Sequence, residues 1–260
     1  MKKYRYTLYF LFVSLVFVGC LARFGYKNYV EDIEEITRIR DSLLVFNTKC
    51  IVEGEEKKFK GMAIYLGKNY LLTLTHLVNP IVEMRIRTPF GIISRPANVE
   101  FVNAFLDDME LNIIGSIDDV CVLKIIKKDK DLPMVRFGNS NYVEIGTKVI
   151  VIGYSFNLEK NLKTGIISRV NVTKNFFDDK NSKLSSDYVD KTFLITAPIN
   201  NGDSGGLLLA VNKNNNLEVI GIICSTILGS RGMSFALKIN YVLESISKII
   251  SKYESEVYIL

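Results

Sequence analysis

Apolar residues fall along this chain in three successive patterns. At the N-terminus they form a single block, Leu8 to Ala22, broken only by Ser14 and Gly19. Between 29 and 40 they recur at helical spacing, with Val30, Ile33, Ile36 and Ile39 on one face. Acids come early there and Arg38 and Arg40 late, which suits the helix dipole and predicts a short helix. From Leu43 onward the pattern changes to short β-like runs separated by turns. Strands are predicted near 43–53, 59–66, 69–75, 82–88, 92–96, 98–102 and 119–126. A second set is predicted near 146–153, 163–172, 193–197, 207–211, 217–225 and 232–239. The turns between them carry Gly, Asn, Lys and Pro, as at Gly67-Lys68-Asn69. The chain closes on a second helix, with Val242, Leu243, Ile246, Ile249 and Ile250 on one face.

Many short strands with regular turn signals predict an all-β sandwich or barrel. Lys127 to Asn141 is polar, contains Pro133 and Gly138, and reads as a linker between the two strand sets. A second polar stretch, 171–191, reads as a long exposed loop. No internal repeat is present.

Charge changes the reading of the N-terminal block. The net charge of the whole chain is +5. Lys2, Lys3, Arg5, Arg23 and Lys27 supply all of it, with no acid among residues 1–27, so the remainder is balanced. No basic body is left to bind a nucleic-acid backbone, and no nucleic-acid partner is expected. A basic start followed by a short apolar run is the layout of a signal peptide or an N-terminal membrane anchor. Gly19-Cys20 resembles the end of a bacterial lipobox, with Cys20 as the lipidated residue. Lipoprotein, uncleaved anchor and plain secretion all place the body outside the cytoplasm.

The chain has 260 residues, 48% of them hydrophobic, enough for a substantial core. One histidine among them excludes a His-rich metal cluster. Cys20, Cys50, Cys121 and Cys224 show no C-x-x-C spacing, and the last three sit in apolar runs as small buried hydrophobes. No disulfide framework, metal or cofactor is expected.

The strongest chemical signal is Gly202-Asp203-Ser204-Gly205-Gly206. Glycines allow a tight turn beside the serine. The amides across Gly202-Asp203-Ser204, those of Gly202 and Ser204 in particular, can then converge as an oxyanion hole. The same residues fit the G-x-S-x-G elbow of α/β-hydrolases, but that elbow needs its histidine downstream. Here the single histidine, His76, lies upstream, at the end of the apolar strand Leu71 to Thr75. A serine needs a base, and the base needs an orienting carboxylate. Asp119 opens the apolar run Val120 to Leu123, and Asp118 is an equal candidate by position.

The order His76, Asp119, Ser204 is that of chymotrypsin-type proteases. From about 43 to 250 the sequence resembles the trypsin-like serine peptidases, and among them the bacterial HtrA/Deg type. Gly61-Met62-Ala63 with Thr73-Leu74-Thr75-His76 resembles the family's histidine region. Asp119-Val120-Cys121-Val122-Leu123-Lys124 resembles its aspartate strand, which favours Asp119. Phe137-Gly138-Asn139-Ser140, Gly146 to Val149 and Ile152-Gly153 resemble its domain crossing. Thr164 to Ser168, Thr196 to Asn201 and Phe235-Ala236-Leu237 match later segments.

The resemblance implies two six-stranded antiparallel β-barrels with the triad in the cleft between them. The N-terminal barrel and lead helix would occupy 28–130, and the C-terminal barrel and closing helix 131–260. It implies peptide or unfolded-protein substrates and extracytoplasmic processing or quality control. A primary pocket would be lined by Pro198 and Ile199, by Cys224, Ser225 and Thr226, and by Gly232 to Ser234. That lining carries no charge, so small or aliphatic residues are expected before the cut. The Deg type usually has Asn at the position of Asp203, while animal trypsins have Asp, paired there with a terminus made by cleavage. Ile51-Val52 superficially resembles such a terminus but lies inside a predicted strand, so cleavage there is not expected. The partner of Asp203 is therefore open. Little sequence follows the last predicted helix, so no PDZ domain is expected. Two other readings stand beside the protease: a protease-fold protein that binds peptides without cutting, and a Ser-Lys hydrolase that ignores His76.

Overall fold

The structure is a computed structural model that describes residues 33–78, 83–88, 91–96, 99–126, 131–157, 159–172, 190–226 and 232–257. The leader with Cys20 and most of the 171–191 loop lie outside the described residues. No described helix is long and apolar enough to cross a membrane.

Helix α1 covers 33–42, within and just beyond the predicted short helix. The first barrel is built from β1 (Leu43–Val52), β2 (Glu55–Gly67), β3 (Tyr70–Leu74), β6 (Val99–Leu106), β7 (Met109–Ile117) and β8 (Val120–Ile125). These close antiparallel in the order β1-β2-β3-β8-β7-β6. A one-turn helix, α2 (Thr75–Val78), follows β3. The strands β4 (Glu83–Thr88) and β5 (Gly91–Pro96) pair only with each other. The second barrel contains β9 (Lys148–Gly153), β10 (Asn161–Arg169), β11 (Thr192–Ile195), β12 (Leu207–Val211), β13 (Leu217–Thr226) and β14 (Ser234–Lys238). It closes in the order β10-β11-β14-β13-β12-β9. Helix α3 (Ile239–Val257) ends the described chain.

The all-β expectation with two six-stranded antiparallel barrels therefore holds, but the membership of the first barrel differs. The runs at 82–88 and 92–96 form a hairpin outside it. Its sixth strand is β7, which the hydrophobic pattern passes over. Buried Met109 and Leu111 alternate there with exposed Glu110 and Asn112, but the second half carries Gly115 and Ser116. These residues weaken a strand signal. Gly115 is needed because a Cβ there would stand 2.9 Å from Ile249 Cγ2 of α3. Helix α3 contacts β7 and β8 of the first barrel and β13 and β14 of the second.

Each barrel has its own apolar core. Phe46, Tyr65, Leu71, Leu111, Leu123 and Ile125 fill the first. Val149, Val151, Ile167, Phe193, Leu208 and Ile223 fill the second. The Phe46 ring lies where a Cβ on Gly61 would be, 2.5 Å from that position. The connection between barrels is pinned at two isolated bridges, Tyr65 with Met134 and Phe137 with Val219.

A polar clamp joins the barrels at the β7–β8 turn. Asp118 adopts a left-handed backbone (φ 50°) and its carboxylate accepts from Lys191 Nζ at 2.8 Å and from the Tyr241 hydroxyl. Lys191 also lies over the Tyr241 ring, 4.8 Å from its centre. Burial pushes the Asp118 carboxyl up, but hydrogen bonds from Lys191 and Tyr241 and the lysine charge outweigh it and hold the group below its usual value. Burial, reinforced by Asp118, pushes the Tyr241 phenol up.

Truncating Phe46 to Ala should lower unfolding stability by about 3–5 kcal/mol, read from the denaturant midpoint. Asp118 has a depressed folded value, so its stabilisation is present above the ordinary carboxylate range and lost as pH falls through the lowered value. Because the pair is partly solvent-exposed, its contribution should be about 1 kcal/mol or less. Asp118→Asn should accordingly flatten the acid limb of stability against pH, measured by thermal melts in a buffer series.

Candidate active site

Strand register brings His76 to Asp119. In the β3–β8 pair, Leu74 faces Val120, so the next residues out, Thr75 and Asp119, also meet. Thr75 N–H donates to the Asp119 carbonyl at 2.8 Å, and the Thr75 hydroxyl donates to the Asp118 carbonyl at 2.9 Å. The turn of α2 then carries the His76 ring back over the aspartate. Nδ1 of His76 lies 2.9 Å from both carboxylate oxygens of Asp119. The His76 amide also donates to Asp119 Oδ1, at 3.1 Å. An Nδ1–H held this way leaves Nε2 as the lone-pair nitrogen. Asp119 is buried, while the His76 side chain keeps about a third of its surface (31%) open. Asp118, equal by position but not favoured by the resemblance, instead faces Lys191 and Tyr241.

Ser204 reaches the same region from the other barrel. Gly205 has a φ of +84°, and a Cβ there would lie 2.9 Å from the Met62 carbonyl and 3.0 Å from Leu77 Cδ1. Only glycine therefore lets the serine loop press against the segment that bears His76. The loop is also hydrogen-bonded to β13, with Gly205 N–H donating to Ile223 O at 2.7 Å and Ile223 N–H to Gly206 O at 2.9 Å. The Ser204 hydroxyl donates to Cys224 O at 3.5 Å, at the outer limit of a hydrogen bond.

Three amides of the loop are committed internally. Asp203 N–H donates to Asn200 O, Gly206 N–H to Asp203 O, and Gly205 N–H to Ile223 O. The amides of Gly202 and Ser204 meet no acceptor among the described residues. Of the three residues expected at an oxyanion hole, Asp203 has its amide committed to Asn200 O, which leaves those of Gly202 and Ser204.

The Asp203 side chain is fully buried, and the structure supplies the partner that the sequence left open. Lys163 Nζ forms an ion pair with Asp203 Oδ2. The Ser155 hydroxyl lies 2.9 and 3.1 Å from the two carboxylate oxygens. Asn200 N–H donates to Oδ2 at 2.8 Å. A Cβ on Gly153 would fall 2.2 Å from Asp203 Oδ1, which explains that glycine. Lys163 and Ser155 are the site residues that sequence reasoning missed. Their only signal was a buried acid beside the serine that required a cation.

Of the expected pocket residues, Pro198 is exposed, Ile199 and Gly232 are half-buried, and Ser234 is buried with its hydroxyl donating to Ala197 O at 3.1 Å. Cys224 turns its thiol to Phe235 O at 3.4 Å, so it offers the site its carbonyl and not its sulfur. Burial, and then the nearby Asp119 charge, pushes both the Cys224 and Cys121 thiols up, the latter to about 12. Both are held as neutral thiols, unsuited to nucleophilic work. Ser225 is half-buried, and the Thr226 side chain and residues 227–231 lie outside the described residues. Among the described residues, no group of three or more His, Cys, Asp or Glu is placed to hold a metal ion.

Known proteins match this architecture. The trypsin-like peptidase domain matches residues 61–222. A probable periplasmic serine endoprotease, DegP-like, from Rickettsia prowazekii is 34% identical over 224 residues, covering 82% of this chain and 39% of that protein. The counterpart in Halomonas elongata is 30% identical over 196 residues, covering 74% and 35%. The periplasmic serine endoprotease DegP of Escherichia coli is 24% identical, covering 76% and 37%. The chain thus spans about a third of the length of the curated relatives it matches. Among solved structures, the HtrA-type protease AlgW with a decapeptide superposes with a TM-score of 0.59 at 22% identity, covering 84% of this chain and 66% of that one. The serine endoprotease from Yersinia pestis gives 0.55 at 22%, covering 84% and 65%. Domain match, relatives and double barrel agree, and the chain belongs to the trypsin-like peptidase family, with DegP/HtrA-type serine proteases as its relatives.

Proposed function

We propose that this chain is a serine endopeptidase that hydrolyses peptide bonds outside the cytoplasm, with His76, Asp119 and Ser204 as its triad. The observation that carries the reading is the two-oxygen contact of buried Asp119 with His76 Nδ1, on a fold that brings the Ser204 loop against the His76 segment. Ser204 Oγ bonds to the scissile carbonyl carbon as its proton passes to His76 Nε2. The carbonyl oxygen takes up negative charge and is held by the amides of Gly202 and Ser204. Asp119 fixes the imidazole tautomer and stabilises the imidazolium. Collapse breaks the C–N bond, and the amine leaves with the proton from Nε2. Water then attacks the acyl-enzyme by the same route, giving the carboxylic acid and free Ser204. Lys163 is engaged by Asp203 and Ser155, which weighs against a Ser-Lys mechanism.

Substrate would lie as an extended strand along residues 224–226. Pro198, Ile199, Gly232 and Ser234 add no charge to the pocket, which supports small or aliphatic residues before the cut. The relatives' description as periplasmic supports an extracytoplasmic site. The leader would attach the chain to the membrane, through lipid on Cys20 or as an uncleaved span, and intact-mass spectrometry separates the two.

The orientation of the Ser204 hydroxyl towards Cys224 favours one second reading, a protein that binds peptides without cutting them. Cleavage of a peptide library by the full chain, with fluorophosphonate labelling, decides between the two. Labelling confined to Ser204 together with turnover supports the protease; peptide binding that Ser204→Ala leaves unchanged, with no turnover in the wild type, selects the second reading.

Ser204→Ala and His76→Ala should each lower kcat by roughly 10⁶, and the double variant should be no worse, because the groups act as a unit. Asp119→Asn should lower kcat by about 10⁴ with the fold retained, checked by circular dichroism beside the kinetics.

A further inference from the structure

We propose that Lys163 is a positioning residue that holds the oxyanion hole in its working shape by neutralising Asp203 from within the β9–β10 hairpin. The inference rests on the protease reading and goes beyond the triad. Asp203 lies between the two residues whose amides face no acceptor, and its carboxylate is fully buried. A buried carboxylate without a counter-charge is strongly unfavourable, so an unpaired Asp203 would swing towards water and carry its flanking peptides with it. Lys163 prevents this. Its side chain is 12% exposed, it pairs with Asp203 Oδ2, and it donates to Ser155 Oγ at 2.5 Å. Ser155 can in turn donate to Asp203, so its hydroxyl is an acceptor on one side and a donor on the other.

The same hairpin grips the preceding peptide. Phe156 N–H donates to Asn201 O at 2.7 Å. In a trans peptide the carbonyl and the following N–H point in opposite directions. Fixing Asn201 C=O on Phe156 therefore fixes the direction of the Gly202 N–H, one of the two hole donors. Phe156 makes this contact from a left-handed backbone, φ 55° and ψ 19°, a conformation that a non-glycine residue holds only when its surroundings enforce it. Gly153, Ser155, Phe156 and Lys163 thus form one receptor for residues 200–203. Register supports this, since Asn161 faces Gly153 and Lys163 faces Val151 across the hairpin. The counter-charge comes from a strand of the same barrel.

The test compares full-length wild type, Lys163→Met, Lys163→Arg and the pair Lys163→Met/Asp203→Asn, with rates normalised to the folded fraction. Lys163→Met should lower kcat by roughly 10²–10³, the loss expected when one hole donor is misplaced, while KM moves by less than about threefold. Lys163→Arg should stay within about tenfold of wild type. The double variant should regain at least tenfold over Lys163→Met, because an uncharged Asn needs no cation. Substrate-peptide affinity measured in a Ser204→Ala background should be unchanged by Lys163→Met. Wild-type kcat in Lys163→Met, or a lowered melting temperature with kcat per folded molecule intact, would overturn the proposal and leave Lys163 as a structural residue. If Lys163→Met does not fold, a double variant that folds and turns over within tenfold of wild type supports the proposal, and one that folds but stays inactive overturns it. An inactive wild type would instead refute the protease reading itself, so the two failures are distinct.

Discussion

The Ser204 loop meets the first barrel at a residue with no side chain of its own, and the placement of that loop depends on the contact. Gly205 lies against the Met62 carbonyl and Leu77 so closely that a single Cβ would collide with both. Met62 is fixed in turn, since the Thr73 hydroxyl donates to its carbonyl at 2.7 Å. Leu77 belongs to the same helical turn as His76. The glycine contact therefore relates the loop of the second barrel that bears Ser204 to the turn of the first that bears His76. The bulk excluded at 205 is as much part of the site as the groups present at 76, 119 and 204.

Two buried carboxylates serve this site in different ways. Asp119 sits at a strand start, with a partly open imidazole and a backbone N–H as partners. Its carboxylate is met by a side chain that stays partly open to solvent. Asp203 is enclosed completely and is met by the Lys163 side chain, a hydroxyl and an amide, all from its own barrel. The adjacent Asp118 is a third case: it faces outward to Lys191 and Tyr241 and ties the barrels to α3 at the surface. Neighbours in sequence, Asp118 and Asp119 do unrelated work because a left-handed residue at 118 separates their directions.

Most of the fold was legible wherever burial on one or both faces imposed a continuous or alternating pattern. Strands such as β3, β8, β12 and β14 are buried nearly throughout and announced themselves as apolar runs. β7 was not legible, because half of it faces solvent and its Gly115 serves the approach of α3 instead of the strand. The hairpin of β4 and β5 was legible as strand but not as a separate sheet, since membership of a barrel depends on closure between strands distant in sequence. His76 was expected at a strand end; the turn of α2 that aims its ring depends on hydrogen bonds to 118 and 119, which local pattern does not carry.

The sequence by itself determined the residue types that the chemistry requires and their order along the chain. A single histidine ahead of a Gly-Asp-Ser-Gly-Gly turn left one candidate nucleophile and one candidate histidine base, and the all-β pattern left few folds to hold them. The resemblance favoured Asp119 over Asp118, but only the tertiary structure placed its carboxylate against His76, left the Gly202 and Ser204 amides without an acceptor among the described residues, and supplied Lys163 as the partner of Asp203. The first and last of these depend on side-chain direction and burial between segments forty or more residues apart, and the loop amides on a contact with the neighbouring strand β13. Such relations are set by strand register and barrel closure, which no local stretch of sequence specifies.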